Sequence, residues 1–138
     1  VTLVRLPHLL TLFALPLLAA CQSGTAAGDA ISVPGDNSAL STMERIAVAA
    51  QKCWFGPQAA GFEGLAMSPE LTSFSGKPRI LAVPRGNVGG LPKLVVEATG
   101  NPARIAAYGP LMDSAHGQAI AADTQRWAGG DTSCGARA

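Results

Sequence analysis

An apolar run over residues 9–18 decides how much of this chain can build a core. Arg5 and His8 precede the run, Pro16 interrupts it, and Ala19 and Ala20 close it directly before Cys21. Crossing the hydrocarbon of a bilayer takes about 20 apolar residues in succession, so this run is too short to span. A basic start, a short apolar stretch and small residues at its end form the pattern of a secretory signal. Residues 1–20 therefore stand outside the folding unit. The 118 residues that follow in the 138-residue chain suffice for one domain with one core and are too few for two.

The four residues Leu18, Ala19, Ala20 and Cys21 resemble the lipobox of bacterial lipoproteins, with Leu three places before the cysteine and small residues between. The resemblance implies that the Cys21 thiol takes a diacylglyceryl group, that the signal is cut before it, and that the new amino group is acylated. Cys21 would then be the mature N-terminus and the lipid bilayer its first partner. Small side chains let a peptidase approach the backbone, and several acyl chains anchor firmly where a single chain binds only reversibly. Gln22 follows, where an Asp would mark retention in the inner membrane. The resemblance thus implies the outer membrane, on its periplasmic face.

Residues 21–40 are rich in Ser, Gly, Ala and Thr, with a turn cluster at Pro34, Gly35, Asp36 and Asn37 and no helical or strand period. They read as a flexible tether, whose root-mean-square reach as a coil would be roughly 25 Å. The domain proper is expected over residues 41–138. Arg5 is the one charged residue among the first twenty, so nine basic side chains face nine acidic ones in the remainder. Such a neutral chain lacks the basic excess that counterion release exploits on nucleic acid.

Ser41 and Glu44 have capping-box spacing, and Met43, Ile46, Ala47, Ala50 and Cys53 recur at helical spacing, which predicts a helix over residues 42–52 stopped by Gly56 and Pro57. Arg45, Gln51 and Lys52 occupy its other face. The period then changes, and strands are predicted over residues 62–67, 79–83, 93–99 and 103–108, punctuated by Gly and Pro. Gly100, Asn101 and Pro102 make the last two an antiparallel hairpin. A second helix is predicted over residues 117–128, with Ile120, Thr124 and Trp127 on one face, Asp123 and Arg126 pointing elsewhere, and Gly129 and Gly130 at its end. Helix, about four antiparallel strands and helix make an α+β fold with helices on one face of the sheet.

Setting aside Cys21 leaves Cys53 and Cys134, an even pair that an oxidising compartment would join. The alternative is a reactive Cys53 thiol, but no His lies near it in sequence and its neighbours Trp54 and Phe55 are apolar. Trp54 and Trp127 read as core residues. Asp113, Ser114 and His116 are too close on one turn to align a nucleophile, base and orienting acid, so they read as a polar turn. The stretch from Gly86 to Lys93 lacks the Gly-Lys-Ser/Thr of a phosphate loop and reads as a mobile connection between strands, able to serve as a binding loop. Glu63 and Glu70 fall in different predicted elements, which gives no glycosidase pair.

Lys52, Cys53, Trp54 and Phe55 are similar to the Arg-Cys-x-Trp-Phe motif of small lipoprotein accessory subunits of the outer-membrane β-barrel assembly machinery, with Lys in place of Arg and no residue between Cys and Trp. The similarity implies a partner-contact patch at Lys52 and Phe55. The expectation is a lipid-anchored, non-catalytic binding or structural protein of the cell envelope, with an envelope protein as partner and no cofactor or small-molecule ligand. Two alternatives are an accessory subunit of outer-membrane protein assembly and an envelope hydrolase whose residues converge only in three dimensions.

Overall fold

The computed structural model describes residues 31–32, 38–57 and 59–135. The signal segment, Cys21 and most of the tether lie outside these residues. The elements in chain order are β1 (Ile31–Ser32), α1 (Ala39–Cys53), β2 (Leu65–Glu70), β3 (Arg79–Pro84), β4 (Leu94–Thr99), β5 (Arg104–Tyr108) and α2 (Gly117–Ala128). The fold is α+β, with a helix, an antiparallel sheet and a closing helix.

Helix α1 begins three residues before the position that Ser41 suggests. Ser38 is the cap, its hydroxyl accepting the Ser41 backbone N–H at 3.2 Å, while the Ala39 N–H donates to the Gly100 carbonyl at 2.9 Å. Ser38 supplies the same side-chain oxygen as the Ser41 box would, and the extra turn is fixed by its contact with the β4–β5 hairpin. The buried residues Met43, Ile46, Ala47, Ala50 and Cys53 follow the predicted period. The helix ends at Cys53 with Trp54 as its cap, and Gly56 follows in the turn, where a Cβ would stand 2.6 Å from the Lys52 carbonyl oxygen. Helix α2 occupies the predicted bounds.

The sheet order is β1-β5-β4-β3-β2, antiparallel throughout. Four strands carry it. Two-residue β1 adds a fifth, pairing Ile31 with Ile105 and Ser32 with Arg104 inside the segment read as a tether. Strand β2 lies three residues later than predicted, because Phe62 turns inward and Gly64, at φ 72°, reverses the chain before Leu65. Pro69 is tolerated in β2 because this strand is an edge.

Alternation along the strands sorts two faces. Ile80, Ala82, Leu94, Val96, Ala98, Ile105 and Ala107 point to α1 and α2 and form the main core with Met43, Ile46, Ile120 and Trp127. The other face holds a smaller cluster of Leu81, Val83 and Val95. Beside it Arg79 donates to Glu70 at 2.6 Å, and the Tyr108 hydroxyl donates to Glu97 at 3.1 Å.

Candidate functional site

The C-terminal end of α1 gathers most of the unusual side chains. Cys53 is bonded to Cys134, with Cα atoms 5.4 Å apart and 81 positions of separation in sequence. The adjacent Trp54 is buried, stacked on Phe62 with ring centroids 5.1 Å apart and tilted against Trp127 at 4.7 Å. Phe55 meets Phe62 edge-on at 5.4 Å and is half-buried. Core packing for both tryptophans thus holds.

A buried indole N–H needs an acceptor. Trp54 donates Nε1 to Asp123 Oδ2 at 2.8 Å, and Trp127 donates Nε1 to the Ser133 carbonyl at 2.9 Å. Asp123 is only 3% exposed, which corrects its assignment to the outward face of α2. It sits three residues after Ile120 and four before Trp127, so the 3.6-residue period places it on the apolar stripe. Its Oδ1 takes a close ion pair from Arg126, which also donates to the Ser133 carbonyl.

Two adjacent clefts open at this end, on either side of Gly56, Pro57 and Ala59. One, of about 550 Å³, is lined by Trp54, Phe55, Phe62, Glu63 and Arg85. The other, of about 560 Å³, is lined by Lys52, Cys53, Cys134 and Gly135. Phe55 and Lys52 therefore face different hollows. Phe62 and Arg85 are wall residues that sequence reasoning did not assign; only the aromatic Phe62 carried a signal, because Arg85 arrives from the distant connection after β3.

The chain matches no family model, no curated protein and no solved structure.

The remaining candidates behave differently. Ser114 donates its hydroxyl to the Leu111 carbonyl at 2.7 Å and accepts the His116 backbone N–H, while the His116 ring lies against Gly61. The hydroxyl is thus engaged in a turn and not directed at the imidazole. Glu63 bonds the Gly61 N–H, and Glu70 is held by Arg79 at the far end of β2, which puts the length of a strand, about 20 Å, between the two carboxylates. Residues 85–93 join β3 to β4 through two hydrogen-bonded turns, with Asn87 N–H donating to Pro84 O and Gly90 N–H to Asn87 O. Among the described residues no group of three or more His, Cys, Asp or Glu is placed to hold a metal, and no helix is long and apolar enough to cross a membrane.

Among the described residues three titrations are displaced. The hydrogen bond to Glu70 and its charge hold the Arg79 guanidinium above its ordinary value. Partial burial, then the Glu97 carboxylate, push the Tyr108 phenol above 10.0. The Ser133 backbone N–H, then its side chain, hold the Asp131 carboxyl below 3.8.

Proposed function

We propose that this chain is an exported lipoprotein, acylated on Cys21 and held at the periplasmic face of the outer membrane, whose domain works by binding or structural support and not by catalysis. The observation that carries the reading is the sequence Leu18-Ala19-Ala20-Cys21 standing just upstream of a domain closed by a Cys53–Cys134 bond. A lipid-anchor motif and a bond that needs an oxidising compartment point to the same place. Within it, the cleft lined by Phe55, Pro57, Glu63 and Arg85 offers a half-buried aromatic edge beside two charged groups, a mixed lining that suits an amphipathic side chain of an envelope protein. The likeness of Lys52 to Phe55 to the motif of assembly-machinery lipoproteins makes that machinery the first partner to test.

Two measurements test this. Intact mass and fractionation of wild type and Cys21→Ser should show a lipid mass on the wild type and loss of the variant from the membrane fraction. A wild type without added mass, or a variant that stays in the membrane, refutes the anchor. Crosslinking in whole cells with a folded Phe55→Ala, Lys52→Glu double variant should lose partners that wild type captures. An unchanged set of crosslinked partners removes this end of α1 as the contact.

A further inference from the structure

We infer that this protein docks head to tail on a second copy of itself, the Phe74 tip of one copy seating in the cleft that Phe55, Pro57 and Glu63 line on the next; the inference rests on the reading of that cleft as a contact site and names its occupant. The two features lie at opposite ends of one hairpin. The chain enters β2 from the cleft residues Phe62 and Glu63, turns through residues 71–78, and returns along β3 to the cleft at Arg85. Six residues of strand, about 20 Å, separate the tip from the cleft. Phe74 therefore cannot fill the cleft of its own chain, but it can reach that of another.

The tip is ordered and the cleft is complementary to it. The hydroxyls of Ser73 and Ser75 stand 2.8 Å apart, Ser73 donates to the Lys77 carbonyl at 2.9 Å, and the Gly76 N–H donates to the Ser73 carbonyl at 3.0 Å. On this frame Phe74 is fully exposed, more so than any other large apolar side chain among the described residues. A ring held in water by an ordered turn gives up little freedom on docking, and aromatic rings are the usual anchors of protein contacts. Its companion Lys77 is exposed and takes part in no ion pair among the described residues. The cleft, of about 550 Å³, has room for a phenyl ring and offers it the Phe55 edge and Pro57. Exposed Glu63 stands on the same rim; its Oε2 accepts the Gly61 N–H at 2.8 Å, and it too is in no ion pair among the described residues. Arg85, on that rim as well, donates to the Leu65 carbonyl at 3.2 Å. An aromatic with a cation thus meets an aromatic with a carboxylate, which fixes register as well as attraction. Because tip and cleft are different surfaces, each docked pair keeps one of each open, and the copies add in series unless their rotation closes a ring.

Two differently tagged full-length copies expressed in the same cells test the docking, the first carrying the photocrosslinker Phe74→p-benzoylphenylalanine. Irradiation should join the two copies, with the crosslinked peptide of the second copy containing the cleft residues Phe55 to Glu63 or Arg85. Lys77→Glu in the first copy, or Glu63→Lys in the second, should each lower the yield severalfold, and the two together should restore it, which a merely misfolded variant would not do. No adduct between copies, an adduct elsewhere on the second copy, or a yield that the paired reversal leaves low overturns the docking. The crosslinker placed on the cleft, as Pro57→p-benzoylphenylalanine at an exposed wall position, separates the two readings. Capture of another protein with no capture of a second copy overturns self-docking and keeps the cleft as a contact site, whereas capture of no protein overturns both.

Discussion

Removing the Cys53–Cys134 bond by Cys53→Ala with Cys134→Ala should cost a large fraction of the domain's stability while leaving its fold in place. The bond closes 81 positions of chain. In the chain-entropy treatment a loop of that size withdraws about 4.5 kcal/mol of freedom from the unfolded state at 25 °C, and residual structure in the reduced chain lowers the figure. The native tail does not depend on the bond alone, since the Ser133 carbonyl accepts from Trp127 Nε1 and from Arg126. The loss should therefore appear as a lower midpoint for a domain that still has native circular dichroism. For a domain of about 100 residues it corresponds to a fall in Tm on the order of 20 °C. Urea unfolding should also give a steeper slope, because the unbridged chain unfolds to a more expanded state. A double variant within about 1 kcal/mol of wild type, or two thiols that label in the folded oxidised protein, would refute the reasoning.

Asp123→Ala strands the buried Trp54 N–H and should cost about 1–3 kcal/mol in urea unfolding, with Asp123→Asn, which keeps an acceptor, costing less; equal losses would count against the hydrogen bond as the cause. Tyr108 is the single tyrosine, so phenolate absorbance reads it directly. Its raised value means that its contribution to stability is intact below pH 10.0 and lost as pH rises through the folded value, and Glu97→Gln should move the titration part of the way back; no movement would assign the whole displacement to burial. Gly117→Ala puts a Cβ 2.0 Å from the Met112 carbonyl oxygen and should destabilise by about 1–3 kcal/mol through overpacking, so a neutral result would contradict the packing at the start of α2.

What was legible in the sequence is what local chemistry decides. Gly117 and Gly129 bound α2, Gly56 and Pro57 end α1, and Gly100 to Pro102 turn β4 into β5, because each needs only a few neighbouring residues to act. The near-continuous apolar stretches of β3 and β4 mark central strands, and both are central. Elements set by distant partners were not legible. Ile31 and Ser32 have too few residues to alternate and become a strand only because β5 offers a free edge. Ser38 outcompetes Ser41 as cap because the Gly100 carbonyl waits for Ala39. At the site, the pairing of Cys53 with Cys134 followed from counting, and the burial of Trp54 from its neighbours. The burial of Asp123 was present in the helical period but obscured by its charge, since a carboxylate is buried only when partners such as Trp54 and Arg126 are brought to it.

These partners form a closed ring. Cys53 adjoins Trp54, Trp54 donates to Asp123, Asp123 pairs with Arg126, Arg126 donates to Ser133, and Ser133 adjoins Cys134, which returns to Cys53. Every member holds its neighbours in position, so the ring ties the end of α1, the last turns of α2 and the tail into one unit beside both clefts. Residues in one network do not contribute independently. With the disulfide intact, Asp123→Asn removes one charge from a ring that stays closed covalently. Without it, the same change takes from Arg126 its carboxylate partner, and the tail is held only by the bonds from Arg126 and Trp127 to the Ser133 carbonyl. A double-mutant cycle between Asp123→Asn and the Cys53→Ala, Cys134→Ala pair should therefore show a coupling of about 0.5–3 kcal/mol, measured by urea unfolding at one pH. Additivity within about 0.5 kcal/mol would mean that the ring is a set of neighbours and not a network. The clefts would then owe their shape to the aromatic stack of Trp54, Phe62 and Phe55 alone.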